Sequence, residues 1–223
     1  MAYPLDLSTI SLERFQEILT TFELLPSRKV LADHMAEVVA RLGAEDVTDL
    51  DALRKLLADK KRYPELAERL GVDGDYLIIL NREVNAYKTK ALTLARLEVF
   101  SDEELTALAG AGITSTKHLY ERCCLKAERE NLVSDLGIDL ARLENALKMA
   151  NLIRVNGAGP SFARFFIEIG LTRPEDFRDI DPVEIADRYN ASIADDPSQP
   201  KLRHEDIDYC KRFSEGLQTD IEW

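Results

Sequence analysis

The chain has 223 residues, 45% of them hydrophobic and 31% charged, enough for one or two globular domains with a real core. It carries 29 Lys and Arg against 41 Asp and Glu, a formal net charge of −12, which excludes a uniformly basic nucleic-acid binder and confines any phosphate contact to a local patch. No apolar run approaches the roughly 20 residues that cross a bilayer, the opening stretch Met1–Phe15 lacks a secretory pattern, and Cys123, Cys124 and Cys210 make no disulfide framework, so a reducing cytoplasm with no membrane role is expected.

Glycine and proline are few, 10 and 8, and stand where helices begin or end. The stretch from Arg28 to Leu42 reads as a helix. Asp73 caps the next clear one. The apolar run Tyr76 to Leu80 belongs to it rather than to a strand, because it continues through Asn81, Arg82 and Glu83 without a turn residue. Ser101 and Glu104 stand at capping-box spacing. Asp139 opens a helix with Leu140, Leu143, Leu147 and Ala150 on one stripe. Phe162, Phe165, Phe166 and Ile169 mark another, and Gly170 supplies its left-handed stop. Thr172 and Glu175 repeat the capping-box spacing with Pro174 in the first turn, and Asp181 caps a helix that begins at Pro182. After the loop Asp195–Pro200 comes one more helix, Glu205–Leu217. The fold class is all-α, about fourteen short helices joined by short connections.

Self-comparison finds a repeat. Leu70-Gly-Val-Asp73 recurs as Leu136-Gly-Ile-Asp139, 66 positions on, and Leu77 matches Leu143 at the same offset. Further along the offset is 58: Leu94-Ala-Arg-Leu97 matches Leu152-Ile-Arg-Val155, and Gly112-Ile-Thr114 matches Gly170-Leu-Thr172. A fainter upstream copy places Val47-Thr48 and Leu53 66 positions before Ile113-Thr114 and Leu119. Helical punctuation reused without common ancestry is the competing explanation. Copies of this kind bury their apolar faces only against each other, so they should stack into a compact helical array. The segments expected are an N-terminal helical region (1–62), a degenerate unit (63–125), a unit holding a Gly-x-Gly turn (126–190) and a C-terminal loop and helix (191–223).

That turn carries the clearest chemistry. A helix ends near Val155, Gly157 and Gly159 permit positive φ without side-chain interference, and Pro160 starts the next helix. The unpaired amides there, with the positive end of the helix dipole behind them, form an anion site. The stretch Asn156-Gly157-Ala158-Gly159-Pro160 resembles the helix-hairpin-helix motif, with Asn156 where proline is usual and Ala158 where a larger apolar residue is usual. That resemblance implies sequence-independent contact with a DNA backbone, the amides of Gly157, Gly159 and Ser161 facing a phosphate and Arg154 and Arg164 flanking it. The pattern from Leu152 to Ile180, with Ser11–Phe15, Leu24–Lys29 and Tyr76–Tyr87 upstream, resembles the bacterial domain of unknown function 4332 across residues 8 to 190. This second resemblance implies an array of tandem helix-hairpin-helix repeats and no established activity.

The last unit, Lys148–Arg178, carries five cations and three anions, whereas Lys90–Tyr120 carries three and four and has no glycine in its turn. Only the last unit is therefore expected to touch phosphate, and weakly, with steep salt dependence. The partner is either a DNA or RNA backbone at the hairpin or, with equal weight, a protein, including a second copy of the chain. His34 and His118 are expected on solvated faces, His204 at a helix start, one of Cys123 and Cys124 packed with the other partly exposed, and Lys60–Arg62 as the cationic end of a helix. No phosphate loop, nucleophile elbow or zinc-ligand spacing is present, so no enzyme activity, cofactor or metal is expected.

Overall fold

A computed structural model describes residues 2–196 and 200–223, so the middle of the Asp195–Pro200 loop lies outside the described residues. Those residues form twelve α-helices and five 3-10 segments, with two isolated β-bridges and no strand. None of these helices is long and apolar enough to cross a membrane. The chain divides into two compact units, Leu5–Lys88 and Thr89–Trp223 with Met1–Pro4 joined to the latter. The division falls inside the segment 63–125.

The first unit comprises α1 (Leu12–Thr21), α2 (Lys29–Gly43), α3 (Leu50–Leu56), α4 (Tyr63–Leu70) and α5 (Gly74–Ala86). Ser11, Asp49 and Asp73 cap α1, α3 and α5 by accepting amide hydrogen bonds. Phe15, Leu31, Met35, Leu53, Leu77 and Leu80 are fully buried at its centre. Each such side chain contributes about 1.5–3 kcal/mol on leaving water. Lys60–Arg62 form a 3-10 turn capped by Asp59, immediately before α4. The trio thus precedes a helix instead of ending one.

The second unit holds α6 (Asp102–Gly110), α7 (Thr116–Cys123), α8 (Lys126–Leu136), α9 (Leu140–Leu152), α10 (Pro160–Glu168), α11 (Pro182–Ser192) and α12 (His204–Ser214). α9 is its axis. Apart from Lys148, every residue from Ala146 to Val155 is buried, as expected of a helix surrounded by neighbours. Leu140, placed on its apolar stripe by spacing, is instead 37% exposed. Phe166 packs edge-on against Phe177 at 4.5 Å between centroids, tying α10 to the 3-10 segment Pro174–Phe177.

Similar local geometry occurs at several helix ends. The amides of Val47, Ile113 and Leu171 donate to the carbonyls of Leu42, Leu108 and Phe166, and Asp46, Gly112 and Gly170 stand one residue earlier with φ of 59°, 78° and 89°. Leu12 N–H donates to Thr48 O and Leu50 N–H to Ile10 O. Correspondingly, Leu94 N–H donates to Thr114 O and Thr116 N–H to Leu92 O. Between α9 and the segment after α10, the Asn151 side-chain amide reaches Thr172 O at 3.4 Å. α6 and α10 begin 58 positions apart.

Several expectations need correction. Gly157 has φ of 98°, but Gly159 lies at φ −88° and ψ 177°, extended backbone open to any residue. Asp176, not Glu175, accepts the amides of Thr172 and Arg173, so the cap is one residue late. Cys123 and Cys124 are both buried, because Cys124 keeps helical torsions at the end of α7 and its thiol turns back to donate to Tyr120 O. α12 stops at Ser214, and residues 217–223 run on in extended form.

Candidate functional site

The Val155–Pro160 turn joins α9 to α10. Ala158 N–H closes it onto Val155 O at 3.1 Å, and the positive φ of Gly157 reverses the chain. α10 then begins without a side-chain cap: its N-cap is Gly159 and its first residue Pro160. Ala163 N–H is the first in the helix to find an acceptor, Gly159 O at 2.9 Å. The amides of Gly157, Gly159, Ser161 and Phe162 have no acceptor among the described residues. No acidic residue sits in the first turn, so no built-in carboxylate competes for them.

The start of α6, by contrast, is filled. Ser101 Oγ accepts Glu104 N–H, and Glu104 Oε2 accepts Ser101 N–H at 2.8 Å. This amide bond, with Arg142 at 2.7 Å, holds the Glu104 carboxyl below its usual range. The start of α6 therefore carries its own anion, and that of α10 leaves the position open.

The open turn borders a cleft of about 210 Å3. Its apolar part comes from Leu92, Ile153, Val155 and Ala158, and its charge comes from Lys90 and Arg96. Both cations are exposed and lie on the segment before α6. The stretch Lys90–Tyr120 is net negative, so its composition gave no sign of a phosphate contact. Asp102, Glu103 and Glu104 of α6 together with Glu98 supply that negative sum, while the two cations on Lys90–Leu97 line the cleft at the turn. Charge counted on the Lys90–Leu97 segment alone would have found them.

The predicted site residues divide. Gly157 and Ser161 are exposed and Gly159 is half-buried at the turn. Asn156 uses its side-chain amide to donate to Tyr209 Oη at 3.0 Å, and a Cβ at Gly157 would meet Tyr209 at 3.1 Å and Cys210 Sγ at 3.2 Å, so α12 backs one side of the turn. Arg164 reaches from α10 to Leu97 O at 2.9 Å and Glu98 Oε2 at 2.6 Å. Its guanidinium lies on the surface but is already paired.

Arg154 does not flank the site. It is 5% exposed and turned inward, where Nε donates to Tyr3 O at 2.9 Å and Nη1 to Tyr120 Oη, Asn151 Oδ1 and Gln218 O at 2.8–2.9 Å. Its guanidinium also lies 4.6 Å from the centre of the Tyr120 ring. Burial pushes the Tyr3 hydroxyl up to about 12, keeping it protonated as it meets Thr116 Oγ1 at 2.9 Å. Arg154 is thus a brace for the chain just before the turn. The signal was present in the sequence: Asn151 and Arg154 are the lone polar residues in Met149–Val155, the composition of a buried polar pair.

His118 Nδ1 pairs with Thr114 Oγ1 at 3.1 Å on an exposed face, His34 is exposed beside Tyr76, and His204 begins α12. Burial raises the thiols of Cys123 and Cys210 to about 12, well away from nucleophilic use near neutrality.

No curated protein and no solved structure matches the chain. A family match covers α6 through α11 and the turn, a narrower stretch than residues 8 to 190. Lys90, Arg96, α12 and the extended segment after it fall outside. Residues 98–194 match the family described as Domain of unknown function (DUF4332).

Proposed function

We propose that the chain is a non-enzymatic protein built of tandem helix-hairpin-helix units, and that the Asn156–Pro160 turn binds the sugar-phosphate backbone of nucleic acid, without sequence preference. The observation that carries this reading is the uncapped start of α10, whose open amides share a cleft with Lys90 and Arg96. A phosphate oxygen takes the amides of Gly159, Ser161 and Phe162, and the two cations neutralise its charge and that of a neighbour. Gly159 keeps the approach clear, since a Cβ there would meet nothing within 4 Å of the protein and would project into the ligand's space. Arg164 serves the site through Leu97 and Glu98 of the neighbouring copy.

With about two to three phosphates neutralised, the logarithmic salt slope is about −1.8 to −2.7, so raising salt fourfold weakens binding by about 12- to 40-fold. The test is fluorescence anisotropy of a labelled duplex and a labelled single strand at about 50 mM salt. Gly159→Val and the double change Lys90→Glu with Arg96→Glu are each expected to abolish binding while the circular dichroism melt stays unchanged. Wild-type binding that is absent, or retained in both variants, refutes the reading and leaves protein docking as the role of the turn.

A further inference from the structure

After α12 the chain turns at the exposed Gly216, with φ of 75°, and residues 217–223 lie extended along α7, α8 and α9. Burial alternates along this segment. Leu217 and Ile221 are buried and Thr219 half-buried, while Gln218, Asp220 and Glu222 face water. That is the period of a strand, without a strand as its neighbour.

The groove reads the segment mainly through its backbone. Arg154 donates to Gln218 O at 2.8 Å, Tyr120 Oη accepts Asp220 N–H at 3.2 Å, Cys124 O accepts Glu222 N–H at 2.9 Å, and Arg129 donates to Glu222 O. Both arginines are buried, Arg129 completely, and each directs part of its guanidinium at a carbonyl of the segment. Side-chain selection is added at Thr219, whose hydroxyl donates to Glu175 Oε2 at 2.8 Å and accepts from Asn151 Nδ2 at 3.0 Å. The Glu222 carboxylate takes the first amide of α8 at 3.2 Å. Backbone hydrogen bonds together with pockets for alternate side chains are how proteins bind extended peptides.

We propose that this groove is a peptide-recognition site for an extended segment of the order apolar, any, hydroxyl, any, apolar, acidic, and that its tethered occupant, residues 217–223, exchanges with the same segment of a second copy of the chain. Exchange preserves every contact above and changes only the hinge. Glu215, at φ −55° and ψ 133°, and Gly216 form that hinge on the surface. A swapped pair therefore differs from two monomers chiefly by association entropy and hinge conformation.

Two experiments on the full chain test this together. In the first, a fluorescein-labelled peptide of residues 215–223 is titrated by anisotropy with the wild type and with Ile221→Asp, which ejects its own segment. The variant is expected to bind the peptide saturably and at least tenfold more tightly than the wild type, and a peptide carrying Ile221→Asp is expected not to bind. In the second, sedimentation velocity follows Gly216→Pro, since proline's fixed φ excludes the +75° hinge while Glu215 already has the extended conformation that precedes proline. This variant is expected to form a concentration-dependent dimer, and Gly216→Pro with Ile221→Asp a monomer. Absence of peptide binding, or a Gly216→Pro chain that stays monomeric at every concentration, overturns the proposal. If Ile221→Asp melts, the Gly216→Pro measurement decides alone, because it alters no groove residue.

Discussion

Replacing Arg154 by methionine separates bracing from binding. The change removes one buried cation together with its bonds to Tyr3 O, Tyr120 Oη, Asn151 Oδ1 and Gln218 O, and the packing of its guanidinium over Tyr120. The two main-chain carbonyls are left facing an apolar thioether. Bonds to a charged group are worth about 1.5–3 kcal/mol each, but they share one guanidinium and do not add, so a loss of about 3–5 kcal/mol is expected. For a chain of this size that lowers Tm by about 6–20 °C. Arg164→Met is the control. It breaks an exposed pair, with side chains 37% and 73% accessible, worth at most about 1 kcal/mol. Thermal melts by circular dichroism and urea titrations of the two variants check this. Equal melting temperatures, or an Arg154→Met chain as stable as the wild type, would refute the inward assignment and return Arg154 to the surface of the turn.

Other outcomes follow from single features. Gly157→Ala introduces a Cβ 3.1 Å from Tyr209 at φ 98° and is expected to destabilise by about 1–3 kcal/mol, whereas Gly159→Ala is expected to shift stability by less than about 0.5 kcal/mol; urea midpoints distinguish them. Asp46→Gly, at the left-handed position that glycine fills in both later copies, is expected to stabilise the Leu5–Lys88 unit by about 0.5–1 kcal/mol, and an unchanged midpoint would count against strain there. Burial raises Tyr3, Cys123 and Cys210 to about 12 and Cys124 to about 11, from 10.0 for tyrosine and 9.0 for cysteine. The folded chain therefore binds these protons more tightly than the unfolded one. Their contribution is intact below pH 9 and is lost as pH rises through the window from 9 to 12. Melts recorded at successive pH values above 8 should fall steadily, and a flat profile to pH 11 would contradict the burial of these groups.

Much of the helical framework was legible because its signals are local. Asp73, Asp139 and Asp181 cap the helices their spacing assigns to them, and Ser101 with Glu104 forms the capping box. Tyr76–Leu80 is helical, since length and polar continuation outweigh a short apolar run. Legibility failed where the outcome depends on residues distant in sequence. Glu175 misses its capping role because Thr219 holds its carboxylate, and Asp176 takes the amides instead. Arg154 turns inward because Tyr3 and Gln218 bring carbonyls from opposite ends of the chain. At the turn, the two glycines and the proline were visible, but the cations beside them come from the segment Lys90–Leu97 and the backing comes from Tyr209. Composition within one stretch cannot report what a segment distant in sequence brings to it.

The bracing of the turn bears on where the chain can be cut. A recombinant fragment trimmed to residues 98–194 would keep the glycines and α10 but discard Tyr209, Gln218 and Tyr3, and with them the hydroxyl that receives Asn156 and two of the carbonyls that receive Arg154. Such a fragment would display the loop on a loosened base. A minimal piece that preserves it must retain Thr89–Trp223 together with residues 2–4.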